Sequence, residues 1–263
     1  MAEATCTATY TSDEMMTVAA ARMVKNGATC FVGIGLPSAA ANLARFTHAP
    51  DVVLIYESGT IGAKPTVLPL SIGDGELSET ADAVVPIAEI FSYWLQGGRI
   101  SLGFLGAAQI DKYANLNTTV IGDYDKPGTR MPGAGGAPEI AASAGEVLIT
   151  LRHGKRAFVE KLDFLTTVGH LEGGDSRDRL RVPGKGPTAV ITDLGILTPD
   201  PVTKELVLTS VHPGVSISQV IEATGWPLKV AEPVTVSEPP TERELTVMRD
   251  LHERTARAHA DQA

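Results

Sequence analysis

Cysteine is scarce in this sequence. Of 263 residues only Cys6 and Cys30 are cysteines, too few for a disulfide framework and at neither a C-x-x-C nor a Cys/His spacing. Basic residues are outnumbered. The 22 Lys and Arg against 31 Asp and Glu give a net charge of −9, which removes the global electrostatic footprint of a nucleic-acid or anionic-membrane binder. No apolar run approaches the ~18 residues that a membrane span needs. The opening residues, MAEATCTATY, hold no basic stretch followed by an apolar one, so no secretory leader is expected and a reduced, cytoplasmic setting fits. The six histidines (His48, His153, His170, His212, His252, His259) show no ligand spacing and no H-E-x-x-H, so no metal site is expected. The G-x-S-x-G elbow and the G-x-x-x-x-G-K-S/T loop are missing too, which argues against an α/β-type serine hydrolase and a P-loop NTPase.

What is present is ordinary globular composition, 43% hydrophobic and 20% charged, which excludes disorder, collagen and coiled coil. The length suits one domain spanning 1–263. Thr11 and Glu14 have capping-box spacing, Met15, Val18, Ala19 and Met23 follow at helical steps, and Asn26-Gly27 reads as the left-handed stop. Residues 28–32 read as a short buried strand, broken by Gly33-Ile34-Gly35. Pro37 opens a helix over 38–46, and residues 52–56 form the next buried strand, ending in Glu57-Ser58-Gly59. Strand, glycine turn, helix and strand make a βαβ unit with parallel pairing. Further strands are predicted at 100–105, 118–121, 146–151 and 188–192, with helices at 86–95, 140–144 and 217–224. The alternation predicts an open, mostly parallel α/β sheet with helices on both faces, a three-layer α/β/α arrangement. After Glu238-Pro239-Pro240, residues 241–260 read as one charged helix whose apolar positions are Leu245, Met248 and Leu251.

In open parallel sheets ligands gather beyond the carboxyl ends of the strands. Gly33-Ile34-Gly35 and Glu57 belong to that edge, and a carboxylate facing backbone N–H donors is a layout for acyl chemistry. The same glycines also suit a plain tight turn. Gly33-x-Gly35-x-x-Ser38 with Glu57 further on resembles a dinucleotide fingerprint as well, which keeps an NAD-binding oxidoreductase as an alternative, although Ser38 replaces the third small residue. A second glycine-rich loop, 133–138, lets a ligand lie against the backbone or is a flexible surface loop. Lys126 and Arg130 just upstream are candidate partners for phosphate or carboxylate.

At these residues the chain resembles the beta subunits of class I coenzyme A transferases, the glutaconate CoA-transferase type in particular. The resemblance runs from about Thr11 to Leu228. It is carried by VGIGLP (32–37), YESG (56–59), FLGAAQIDKYANLN (104–117), IGDYDKPGTRMPGAGGAPEIA (121–141) and TDLGIL (192–197). It implies an open α/β/α subunit that pairs with a separate alpha subunit, often as an α2β2 heterotetramer. It also implies coenzyme A as part of the substrate, with no other cofactor. The glutamate of the E-S-G motif, Glu57 here, is implied as the nucleophile that takes the acyl group as an anhydride and then CoA as a glutamyl thioester. Substrate or CoA contacts are implied for Gly33, Ile34 and Gly35, for Ser58, for Gln109, and for Gly133, Gly135, Gly136 and Ala137.

Within that family the whole-length similarity, including YESGTIGAKPTVLPLSIGDGELSET, resembles the branch of steroid-ring-cleaving hydrolases, which open a cyclic 6-oxocyclohexene carboxyl-CoA with water. That branch is thought to place its essential glutamate in the alpha subunit, which would leave Glu57 to bind substrate or polarise water. The expectation is therefore a ring-cleaving hydrolase subunit, with a CoA transferase acting through a Glu57 thioester as the alternative.

Overall fold

The structure, a computed structural model, describes residues 9–260. Cys6 and the start of the MAEATCTATY segment lie outside the described residues. In chain order the elements begin with α1 (Ser12–Arg22), β1 (Thr29–Phe31), α2 (Leu36–Thr47), β2 (Val53–Ile55), β3 (Thr60–Ile61), α3 (Gly75–Glu79) and β4 (Ala83–Val84). Next comes α4 (Ile87–Glu89), which runs on as a π-helix over Ile90–Leu95. It is followed by β5 (Leu102–Leu105), β6 (Gln109–Ile110), β7 (Leu116–Asn117), β8 (Val120–Gly122), β9 (Pro127–Arg130), α5 (Ala137–Ser143) and β10 (Glu146–Thr150). The remainder is α6 (Ser176–Arg179), β11 (Pro187–Ile191), β12 (Gly195–Pro199), β13 (Leu206–Val211), α7 (Ile217–Glu222), β14 (Lys229–Val236) and α8 (Glu242–Ala260).

Ten strands form one sheet in the order β14-β13-β12-β11-β10-β5-β1-β2-β3-β4. The five at its centre, β11 to β2, are parallel throughout. Antiparallel pairs occur toward both margins. The alternation of side chains along these strands divides the core in two. Cys30, Leu54, Leu102, Phe104, Leu148, Ala189 and Ile191 pack with Met15 and Val18 of α1, Leu43 of α2, and Leu245 and Met248 of α8. Phe31, Ile55, Leu105, Val147, Ile149 and Val190 face Ile90 and Leu95 of the π-helix, Ile140 of α5 and Val220 of α7. Strands buried on both faces need continuous apolar runs, which is what residues 28–32, 52–56 and 146–151 supply.

The capping box forms as expected: Glu14 N donates to Thr11 Oγ1 at 3.2 Å and Thr11 N to Glu14 Oε2 at 2.8 Å. The helix stop differs from the sequence reading. α1 ends at Met23 in right-handed backbone, and Gly27, with φ +74, instead turns the chain into β1. The strand expected at 118–121 also differs. Val120–Gly122 pairs with β9 in a separate antiparallel ribbon outside the main sheet. Gly103 on β5 decides how near α5 can come, because a Cβ there would lie 2.5 Å from Ile140 Cγ2. Among the described residues no helix is long and apolar enough to cross a membrane.

Candidate active site

The site is built at the carboxyl ends of β1, β2, β5 and β10. β1 and β2 are parallel neighbours with Phe31 opposite Ile55, and Val32 N donates to Ile55 O at 2.9 Å. The first glycine turn and Glu57 therefore leave the sheet side by side. Residues 56–60 are pinned from both directions. Tyr56 N donates to Thr60 O and Gly59 N to Tyr56 O, while the buried Tyr56 hydroxyl lies 3.1 Å from Ser38 Oγ on α2. Burial raises the pKa of that phenol, so it stays neutral. Val85 N donates to Gly59 O at 2.9 Å, and a Cβ at Gly59 would lie 2.0 Å from Val85 O. With φ at +111 as well, only glycine fits there.

Glu57 and the glycine-rich loop meet across one cavity of about 550 Å³. Gly33, Ile34 and Leu36 line one side, Phe104 to Gly106 the floor, and residues 132–137 the other side. The loop is held by Thr118: Gly133 N donates to Thr118 O at 3.0 Å and Thr118 Oγ1 to Gly133 O at 2.8 Å. Gly136 is where loop and carboxylate come closest. A Cβ placed on it would lie 3.3 Å from Glu57 Oε1 and 2.7 Å from Phe91 Cζ. The amides of Gly33, Ile34 and Gly35, and those of Ala134, Gly135 and Gly136, donate to no acceptor among the described residues. The cavity thus brings a carboxylate together with N–H groups of both glycine segments that have no backbone acceptor, the kind of donor an acyl-transfer oxyanion uses.

Gly33, Ile34, Glu57, Gly133, Gly135, Gly136 and Ala137 share this cavity. Gly35 does not line it; it lines a neighbouring cavity of about 630 Å³ that shares Ile34 and Leu36 with the first. Ser58 keeps its hydroxyl buried beside the glutamate with no hydrogen-bond partner. Gln109 is brought elsewhere. Its amide is consumed by Asp163 and Asn117, at 3.0 and 2.7 Å, and it supports the β6–β7 ribbon rather than the cavity wall. Lys126 and Arg130 are also off the cavity; Arg130 stacks on Tyr124, 4.7 Å from the ring centroid. Sequence reasoning missed Arg152, the one cation among the residues lining the cavity, held by Asp13 at 2.5 Å. It also missed Phe91, which an i to i+5 helix presents to Gly136. His153 is structural: its ring stacks on Phe158 at 3.7 Å, Nε2 meets Thr224 Oγ1 at 2.9 Å, and burial pulls its pKa down to about 4.

Residues 13–223 match the family model described as Coenzyme A transferase, and the chain belongs to that family. It is an enzyme of the CoA-transferase family by sequence and by fold. It is 67% identical to the B subunit of the 3-oxoadipate CoA-transferase of Pseudomonas knackmussii, over 96% of this chain and 97% of that protein. The B subunit of the glutaconate CoA-transferase of Acidaminococcus fermentans is 39% identical over 88% of each chain. The crystal structure of that transferase superposes with a TM-score of 0.86 at 37% identity, covering 91% of this chain and 94% of its own. The cholesterol ring-cleaving hydrolase IpdB subunit of Mycobacterium tuberculosis is 25% identical over 91% of this chain and 93% of its own. The similarity therefore leans to transferases, against the sequence-based expectation of the ring-cleaving branch.

Proposed function

We propose that this chain is the beta subunit of a CoA transferase that moves coenzyme A between a dicarboxylic acyl-CoA and 3-oxoadipate or a close 3-oxo dicarboxylic acid. The observation that carries the reading is the 67% identity, sustained over 96% of the chain, to the B subunit of a 3-oxoadipate CoA-transferase. A ring-cleaving hydrolase rests on 25% identity and is the weaker reading. Because the relatives are named as B subunits, the working enzyme is an assembly with an alpha subunit, in the α2β2 form the resemblance implies. Coenzyme A enters as part of the substrate, and no other cofactor is invoked.

The chemistry follows from the carboxylate's place. Glu57 Oε attacks the thioester carbonyl, the C–S bond breaks, and an acyl-glutamyl anhydride and CoA thiolate result. The thiolate then attacks the Glu57 carbonyl, releasing the first acid as its carboxylate and leaving a glutamyl-CoA thioester. A second carboxylic acid reverses both steps. Neither water nor a proton is consumed, so an enclosed carboxylate suffices and no general acid is needed. The free amides of residues 33–35 and 134–136 are the donors that would hold the successive oxyanions.

The test uses the co-expressed αβ complex. Succinyl-CoA followed by borohydride should inactivate it by reducing the glutamyl thioester, and Glu57→Gln should abolish both this sensitivity and transfer, by about 10³-fold or more. A Glu57→Gln complex that still transfers CoA to 3-oxoadipate would refute the assignment.

A further inference from the structure

Phe91 packs next to the carboxylate without belonging to its motif. The π-helix over Ile90–Leu95 buries Ile90 and Leu95, leaves Ser92 and Tyr93 in solvent, and turns Phe91 inward. Its ring edge and Glu57 Oε1 both lie within contact distance of a single missing methyl group, the Cβ of Gly136. On its other side the ring packs against Phe31, a cavity-lining residue, with centroids 6.0 Å apart and planes tilted by 54°. The half-buried ring is therefore packed beside the nucleophile, with Phe31 on one side and Gly136 on the other. Single turns of π-helix often mark functional sites, and here the wider turn is what presents Phe91.

We propose that Phe91 determines whether the covalent intermediate is passed to an acid or lost to water. This rests on the reading of Glu57 as the nucleophile. The glutamyl-CoA thioester is open to two attackers. An acid carboxylate regenerates an acyl-CoA. Water would add to the Glu57 carbonyl, break the C–S bond, return the carboxylate and release CoA as thiol, with the remaining proton going to solvent. Summed with the first half-reaction, that is hydrolysis of the acyl-CoA. A ring that excludes water beside the glutamyl carbonyl suppresses the second route without touching the first.

The experiment compares Phe91→Ala, Phe91→Val and Phe91→Leu in the αβ complex. Free thiol released from succinyl-CoA without acceptor is measured against transfer to 3-oxoadipate, and assembly is checked by size-exclusion chromatography. The hydrolysis-to-transfer ratio should rise about 10-fold or more in Phe91→Ala, rise less in Phe91→Val, and stay within about 3-fold of wild type in Phe91→Leu. An unchanged ratio in an assembled Ala or Val complex overturns the inference, as does an equal rise in Phe91→Leu, which would signify general loosening. Should Phe91→Ala not assemble, Phe91→Val against Phe91→Leu decides in the same way. Borohydride trapping of the wild type separates the two levels. Trapping with an unmoved ratio defeats this inference alone, whereas no trapping defeats the Glu57 reading beneath it.

Discussion

Replacing Gly136 by alanine should disable the enzyme while leaving it folded. At φ −83 and ψ −2 the backbone of Gly136 suits any L-residue, so the effect of a side chain there is steric rather than conformational. The added methyl would stand 2.7 and 3.0 Å from Phe91 ring carbons and 3.3 Å from Glu57 Oε1. Carbon contacts settle at about 3.5–4.0 Å, so the ring must retreat by roughly 1 Å or the carboxylate must swing aside. The ring cannot retreat freely because Phe31 is packed against it. Overpacking of this kind costs about 1–3 kcal/mol, offset by about 0.4–1 kcal/mol from the smaller conformational freedom of the unfolded alanine chain. At about 2–4 °C per kcal/mol for a chain of this size, the melting temperature should fall by only a few degrees. Activity should suffer far more, since a displacement near 1 Å at the reacting atom costs on the order of 10²-fold. Steady-state kinetics of the αβ complex should show kcat reduced about 10- to 100-fold, with KM for the acyl-CoA nearly unchanged. Gly154→Ala is the control, because a Cβ there meets nothing within 4 Å. A Gly136→Ala complex with wild-type kcat would show that the glycine loop does not position Glu57, and the cavity would lose its geometric claim to be the reaction site.

Two further outcomes test the scaffold. Arg177 is buried and donates to the carbonyls of Gly169, Ala141 and Gly184, at 2.7, 3.0 and 2.7 Å, so it ties the last turn of α5 to the loops behind it. Arg177→Met should cost about 3 kcal/mol or more by leaving buried carbonyls unpaired, and Arg177→Lys should recover less than half because an ammonium cannot span the three acceptors; thermal denaturation followed by circular dichroism reads both. His153 governs part of the acid limb. Its folded pKa of about 4 lies below the ~6.5 of an unfolded histidine, so the unfolded chain binds protons more readily. Its contribution is complete above pH 6.5 and is lost as the pH falls toward 4, amounting to about 2 kcal/mol at pH 4.5. Urea midpoints at pH 7 and pH 4.5 should therefore differ less in His153→Gln than in wild type. Some slope should remain in the variant, because burial lowers His170 and His212 as well.

The centre of the fold was legible in the sequence for a physical reason. Residues 28–32 and 52–56 are apolar runs closed by glycine turns, and Thr11 with Glu14 is a local capping signal, so each reports its structure without tertiary information. α8 was legible too, its Leu245, Met248 and Leu251 being the buried stripe of an otherwise charged helix. The margins were not. β13 and β14 alternate between half-buried and buried or exposed positions, and β14 carries Pro233, so neither has the continuous apolar run that marked the central strands. The segment 118–121 has strand composition, but composition does not say which sheet accepts it. At the site, Glu57 and the two glycine turns were readable because turn residues reveal where a chain bends. Phe91 was not, since nothing in an i to i+5 turn distinguishes it in sequence from an α-helix. Gln109 belongs to the FLGAAQIDKYANLN string, and only the positions of Asp163 and Asn117 reveal that its amide is already spent.

Backbone placement also explains why the resemblance leaned to a branch that the similarity supports less well than the transferases. The strings that carried it are dominated by residues that place backbone. Gly59 admits the Val85 carbonyl, and Gly136 admits the Phe91 ring and the Glu57 carboxylate. Any member that needs a carboxylate against a glycine loop at the rim of this sheet requires such residues, whatever it does with the acyl group. A 3-oxoadipate transferase, a glutaconate transferase and a ring-cleaving hydrolase can therefore all match over most of the chain. Their chemistries diverge in what reaches the activated carbonyl: a second acid, or water. On the proposal above, that choice falls to side chains packed near the carboxylate without belonging to its motif. Phe91, which meets the same face of Gly136 as the Glu57 carboxylate, is such a side chain, which makes its substitution a more searching test of the transferase reading than further changes within the glycine turns.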